Sequence, residues 1–559
     1  YPPDRLRAEL ARPVELVRAT AVVGEWATRG GNPARNAVVD GGPPFLDKVF
    51  GFPMFYSGDD DANLWIKEEL GKLFARDGKS PKGVPLPGTF PVTTADAIVF
   101  RSYDGLYAVA TRDRVQGGRV VRAGDLLWRS KTSAGLHQLV KSDETSDVDM
   151  SADAKRWWAT YNTRNVKVHN LLYENPLIGA LSHDGQNVYG IDDVAIPPPP
   201  VFNNPEFGIN HGPQFRHSGD LADMVRAGRL VAVDLKSGNL RWTLGRVSVV
   251  QPDADAKQPP PPPLPNPLTE EEADKTTDAF RLCLDAVFLG PPLPLNGRLY
   301  VLIEQAGVMR LLCLDPKTLV RAAGPDPTPK PALVWSQKLG KPNTPLPTES
   351  VRRYQGVTLA AADGIIVCPT NSGVVVAVDI MSRSLLWAHG YRNVAPPPAR
   401  SFDPQTGQPI IPAQLLDDRW RSAGPVISNG RVVFTAFDAR KLECLDLRTG
   451  KVLWEVPNDP NDLYVGGVSN DRVVVVGKNQ VRAYHLTGED VEKKRPRVAW
   501  EPVAIPTPTG HGAVGRAALY VPVRQDAAGK DAVPAAEIWA LNVEDGKVLS
   551  KTGARKRND

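Results

Sequence analysis

Four places along the chain carry side chains able to grip a ligand as well as fill space. Glu174 with Asn175 offers a carboxylate and an amide. Arg353 with Tyr354, and Trp420 with Arg421, each set a guanidinium beside an aromatic ring, and His511 adds an imidazole within a glycine-rich run. Two arginines and two aromatic rings suit an anionic or planar ligand, held by forked hydrogen bonds and stacking. The competing reading makes them solvated loop residues or hydrogen-bonders between neighbouring structural units.

Other chemistries are excluded by spacing. Gly510-His511-Gly512-Ala513-Val514-Gly515 satisfies G-x-G-x-x-G, but Ala517 to Val521 then reads as a strand, where pyrophosphate binding needs a helix N-terminus. Asp147, Asp149 and Asp153 suggest a calcium loop, yet it lacks the turn glycine, and Trp158 stands where the bidentate glutamate belongs. No G-x-S-x-G, H-E-x-x-H or phosphate-loop pattern occurs. Cys283, Cys313, Cys368 and Cys444 are far apart, so zinc-ribbon, thioredoxin and c-haem readings fail and buried free thiols are expected.

The elements that must position these residues show themselves as a repeat. Leu230–Trp242 reads LVAVDLKSGNLRW, Val376–Trp387 reads VAVDIMSRSLLW, and Leu442–Trp454 reads LECLDLRTGKVLW. In each, an acidic residue (Asp234, Asp379, Asp446) precedes a tryptophan (Trp242, Trp387, Trp454) by a fixed spacing, with Gly238 and Gly450 midway in two of them and Arg383 in the third. A degenerate copy, Ile538–Ser550, ends in Ser550. The pattern predicts strand, tight turn and strand, with glycine supplying positive φ and alternating Val231, Val233 and Leu235 marking one face. Further strands are expected upstream at 298–302, 364–368, 431–434, 471–476 and 517–521. Four strands per unit make a β-propeller blade, whose radial repetition protects strand edges. Closing positions at Trp128, Trp242, Trp335, Trp387, Trp454, Trp500 and Ser550 count seven blades. An eighth would form if Glu25–Phe50 joined the C-terminal strands.

The chain has 559 residues, 42% hydrophobic and 23% charged, with 53 prolines and 48 glycines. That supports a large, loop-rich, all-β core and disfavours a helical protein. A net charge of +4 does not announce a nucleic-acid binder, and no apolar run is long enough for a transmembrane helix. Residues 1–24 are read as a helical extension from a preceding region, and 25–559 as the propeller. Residues 63–77 are read as an inserted helix with Asp61 as N-cap, an Ile66, Leu70, Leu73 and Phe74 face, and Gly78 as its stop. Residues 192–226 and 251–277 are expected as proline-rich surface loops. Thr269 and Glu272 suggest a capping box starting a helix up to about Ala279. The basic termini, with Arg5, Arg7, Arg12 and Arg18 at one end and Lys551, Arg555, Lys556 and Arg557 at the other, read as solvated charge or as contacts to acidic partners or lipid headgroups.

The pattern Ala232, Asp234, Gly238, Trp242, repeated with Cys444, Asp446, Gly450 and Trp454, resembles the tryptophan-docking motif of pyrroloquinoline-quinone-like propellers over roughly 25–550. The resemblance implies that these residues, with Asp379 and Trp387, are structural. It also implies one of two branches: quinone-dependent alcohol or sugar dehydrogenases, or non-catalytic binders similar to the outer-membrane assembly lipoprotein of Gram-negative bacteria.

A dehydrogenase would need a quinone in the central funnel, calcium held by carboxylate and amide oxygens, and an aspartate base. The adjacent cysteine pair of many alcohol-oxidising members is missing, and no haem motif is present. The expectation is therefore a non-enzymatic scaffold of a bacterial cell envelope or periplasm. It would use no cofactor or metal and bind other proteins, within a larger assembly or peripheral to a membrane. Pyrroloquinoline quinone with calcium is the alternative, as is a structural subunit of an oligomer.

Overall fold

The computed structural model describes residues 25–38, 50–54, 60–74, 84–132 except 117, 136, 168–196, 219–247, 265–321, 328–342, 346, 350–392, 420–421, 424–439, 441–457, 459–525 and 535–553. Among these, seven antiparallel sheets of four or five strands follow one another in chain order, at 92–131, 182–245, 287–340, 360–390, 424–457, 462–504 and 507–553. They are blades 1 to 7 of a β-propeller. The helices among the described residues are few and short: α1 (Asp60–Phe74), α2 (Val168–Tyr173), α3 (Pro176–Gly179), α4 (Gly219–Arg226), α5 (Glu270–Lys275), α6 (Ala279–Cys283) and α7 (Ser350–Tyr354).

Within a blade, the third strand sets a small residue directly opposite the closing position on the fourth. The pairs are Ala108 with Trp128, Ala232 with Trp242, Cys313 with Trp335, Ala377 with Trp387, Cys444 with Trp454, Ala483 with Trp500 and Ala540 with Ser550. Each pair lies next to a β-bulge, which adds local twist and leaves room for the ring. The indole then reaches the next blade. Trp128 donates to Leu235 O at 2.9 Å, Trp387 to Leu447 O at 2.8 Å, Trp454 to Leu486 O at 3.1 Å and Trp500 to Val543 O at 3.0 Å.

The receiving turn is built for that approach. At Gly450 φ is 68°, and a Cβ there would sit 2.5 Å from the Trp387 ring. Asp446 Oδ1 accepts the backbone N–H of Thr449 at 2.8 Å, and Asp379 does the same for Ser382 at 2.7 Å, which holds the Asp379 carboxyl below its usual range. Arg383 takes glycine's place in its turn at φ 58°.

Apolar clusters join neighbouring blades in sequence, from blades 1 and 2 through blades 6 and 7. Strand 229–234 therefore buries both faces: Val231, Ala232 and Val233 are all buried, so the one-faced alternation expected from sequence does not hold. The other face of blade 1, Phe100, Tyr107 and Val109, is covered by Phe50, Phe52 and Met54. The four cysteines are buried free thiols.

Several boundaries differ from expectation. α1 begins at Asp60, so Asp61 lies inside its first turn, and it ends at Phe74; Ile66 and Leu73 are buried. The Thr269–Glu272 capping box is present, but α5 stops at Lys275 and Asp278 caps the separate helix α6. Segment 25–38 does not complete the last blade, whose strands all come from 507–553. It pairs with the first strands of blades 1 and 2 through Trp26–Thr93 and Thr28–Ser182. Pro33 O then accepts Ala361 N at 2.8 Å and Ala34 O accepts Ile427 N at 2.9 Å, so the segment reaches four blades along their innermost strands. The expected helix in 1–24, the acidic 147–153 loop and most of both proline-rich insertions lie outside the described residues.

Candidate functional site

The innermost strands converge where the sequence placed its candidate ligand-grippers, and the structure shows what each one holds. α2 delivers Glu174 and Asn175. Glu174 Oε1 accepts Leu86 N at 3.0 Å and Oε2 accepts Arg421 Nη1 at 2.9 Å, with both side chains over nine-tenths buried. Asn175 Oδ1 caps α3 through Ile178 N at 3.4 Å, and its Nδ2 donates to Ala195 O at 3.0 Å. Arg353, at the end of α7, forks onto Asp193, Nε to Oδ2 at 3.0 Å and Nη2 to Oδ1 at 2.7 Å. It also donates to Met224 O and Val225 O at the end of α4.

Buried pairs of this kind recur nearby. Arg352 meets Glu304 at 2.6 Å. Asp192 lies between Arg101 at 2.9 Å and Arg229 at 2.8 Å; burial opposes its ionisation, but the two guanidiniums hold its carboxyl well below the ordinary range. Asp192, Asp193 and α4 thus belong to the packed body, which shortens the surface loop expected over 192–226.

Tyr354 is buried, and Trp420 is buried within the cluster of blades 5 and 6 with no partner for its indole N–H among the described residues. His511 Nε2 faces Pro87 O at 3.2 Å, and its ring packs on Phe90 and Tyr464 at centroid distances of 4.9 and 5.0 Å. Burial, then the nearby Arg29 charge, pushes its pKa down to about 3, so the ring is neutral. Gly510–Gly515 leads into strand 518–525, as expected of a glycine-rich turn. Glu174, Arg421 and His511 border one small cleft; Arg353 and Trp420 do not reach it.

Beside that cleft lies a cavity of ≈ 380 Å³, walled by segment 25–38, Phe90 and blades 5 to 7. Its charged residues, Arg29 and Arg35, were missed in the sequence because Glu25–Phe50 read as an opening strand plus loop completing a final blade. The paired glycines Gly30 and Gly31, both at positive φ, were the available signal for a tight turn.

A calcium-bound quinone in this funnel needs free carboxylate and amide oxygens. No described residue lining the cavity is acidic, Glu174 is spent on Arg421 and Leu86, and Asn175 is spent on α3 and Ala195. The described residues therefore do not fit that group.

A family profile described as outer membrane protein assembly factor BamB, of the PQQ_2 type, matches residues 371–558, which span blades 4 to 7. The repeats over blades 4 to 7 are of the pyrroloquinoline-quinone-like β-propeller type. The chain is also similar to the dehydrogenase subunit of quinone alcohol dehydrogenase from Gluconacetobacter polyoxogenes. Identity is 32% over 114 residues, which is 20% of this chain and 13% of that protein. The corresponding subunit from Acetobacter aceti is 31% identical over 119 residues, 21% of this chain and 14% of that protein. The matched stretch is thus a small part of those relatives. Among solved propellers, BamB from Moraxella catarrhalis aligns at 12% identity and TM-score 0.35, covering 79% of this chain and 81% of that one. The quinohemoprotein alcohol dehydrogenase from Comamonas testosteroni aligns at 12% and 0.38, covering 91% and 78%. No helix among the described residues is long and apolar enough to cross a membrane.

Proposed function

We propose that this protein is a non-enzymatic binding scaffold of a bacterial cell envelope, presenting loops on a rigid propeller to partner proteins. The observation that carries the reading is the commitment of the inner ionisable groups. Arg421–Glu174 and Arg353–Asp193 are buried, bidentate or multiply bonded, and tie together segments far apart in the chain. Groups that would hold a cofactor and its ion instead hold the disc in one shape. A rigid disc lowers the ordering entropy a loop loses on binding a partner.

The insertions at 197–218 and 248–264 are the segments offered to partners. Deleting 197–218 and bridging the ends with a short glycine-serine linker spares Asp192, Asp193 and α4. The expected result is an unchanged melting temperature with loss of a protein that co-purifies from envelope extracts. Retention of that protein by both this deletion and the matching deletion of 248–264 contradicts the proposal.

The second reading, a quinone-dependent dehydrogenase, is favoured by the 31–32% identity to alcohol dehydrogenase subunits over one fifth of the chain. It requires calcium-dependent quinone uptake.

A further inference from the structure

The cavity beside segment 25–38 carries buried positive charge that the family's repeat pattern does not account for. Arg35 is 8% exposed, and the structure gives it one hydrogen bond, Nη1 to Thr358 O at 3.4 Å. Its Nε is buried with no partner, and no carboxylate pairs with it among the described residues. Leaving a buried cation without a counter-charge costs several kcal/mol, so such a group is ordinarily matched by an anion.

Arg29 stands on the same wall, its guanidinium 4.3 Å from the centroid of the Phe90 ring. Burial, and then the neighbouring Arg35, push the Arg29 pKa down, a sign that like charges share this space. None of the described residues lining the cavity is acidic, and His511 is neutral and engaged with Pro87.

The backbone is shaped to put these two cations together. Gly30 and Gly31 turn at φ 79° and 82°; a Cβ on Gly30 would lie 2.8 Å from Arg35 Cα, and one on Gly31 would lie 2.5 Å from Ala37 Cβ. Gly424 lets the Arg35 guanidinium lie against its backbone, where a Cβ would be 2.3 Å from Nη1. Gly466 forms a β-bulge on the opposite wall. Trp26, Phe90 and Tyr464 add flat apolar surface. The volume of ≈ 380 Å³ falls within the range of small-molecule sites.

We infer that this cavity is a binding site for a small organic oxyanion, with a carboxylate or phosphoryl group against Arg35 and Arg29 and a flat or apolar body against Phe90 and Trp26. The site is independent of any partner binding by the loops, and it needs no metal ion.

The test is calorimetry on the full chain in a buffer free of carboxylates and phosphate, titrating benzoate and, separately, inorganic phosphate. Saturable 1:1 binding of at least one probe is expected, with affinity reduced at least tenfold in Arg35→Met. Benzoate binding alone points to a carboxylate ligand, and phosphate binding alone to a phosphoryl ligand. Should Arg35→Met fail to fold, Ala513→Trp tests the same claim from an exposed position at the rim and is expected to block binding. No binding of either probe to the wild type, or binding untouched in the folded variants, overturns the inference.

Discussion

The outer belt and the inner end of this propeller are both built at repeat positions, yet they work by opposite rules. In the belt, one solution recurs: a small residue faces a tryptophan across a bulge, and in four blades the indole N–H meets a backbone carbonyl of the next blade. At the inner end each position is solved separately. Glu174 meets Arg421, Asp193 meets Arg353, and Glu304 meets Arg352, with partners 48 to 247 residues apart in sequence. Backbone carbonyls are present whatever the sequence, so the belt tolerates drift. Specific ion pairs do not, and they fix which segments meet.

The largest effect expected from breaking this contrast is in the belt. Trp454→Ala removes a fully buried ring and should cost about 3–5 kcal/mol in chemical denaturation. A loss below about 1 kcal/mol would mean the belt is not what joins blades 5 and 6. At the inner end, Arg421→Met strands the buried Glu174 carboxylate and should cost about 3 kcal/mol. Adding Glu174→Gln should restore part of that loss, because the stranded charge is gone. Additive losses in the double variant would show that the two residues do not act as a pair.

pH probes the same end more gently. His511 is an imidazole whose pKa falls from the ordinary 6.5 to about 3 on folding, chiefly through burial and then through Arg29. The unfolded chain then binds the extra proton between those values. Its contribution to stability is complete above pH 6.5 and is lost as pH falls toward 3. His511→Gln should flatten the melting-temperature profile across that window, and an unchanged profile would remove His511 from the account.

The smallest effect tests the exception within the belt. The Trp242 indole N–H has no acceptor among the described residues, and blade 3 has an irregular register between Asp315 and Leu319. Trp242→Phe should therefore cost about 1 kcal/mol less than Trp454→Phe, the worth of one hydrogen bond. Equal losses would mean that the indole bonds in the belt contribute nothing net.

This contrast also explains what could be read from sequence. The belt was legible because Asp234, Gly238 and Trp242 recur at fixed spacing, and local turn chemistry dictates each of them. The identities of the inner residues were legible as well: Glu174, Arg353, Arg421 and His511 do sit near the inner strands. Their partners were not, since nothing local links Arg421 to a residue 247 positions earlier. Segment 25–38 was misassigned for a related reason. It reads as an opening strand plus loop for the last blade, and only the tertiary structure shows Trp26 and Thr28 bridging to blades 1 and 2. The 192–226 loop was drawn too long because Asp192 and Asp193 look solvated in sequence, while three arginines bury them.

The central claim is that the inner ionisable groups hold the blades together and do not hold a calcium–quinone pair. The most direct measurement is a titration of the purified chain with pyrroloquinoline quinone, with and without calcium, following bound-quinone absorbance together with dye-linked oxidation of alcohols and sugars. The account predicts no calcium-dependent uptake and no turnover, and any calcium-independent binding should disappear in Arg35→Met. Stoichiometric, calcium-dependent uptake with turnover would contradict it.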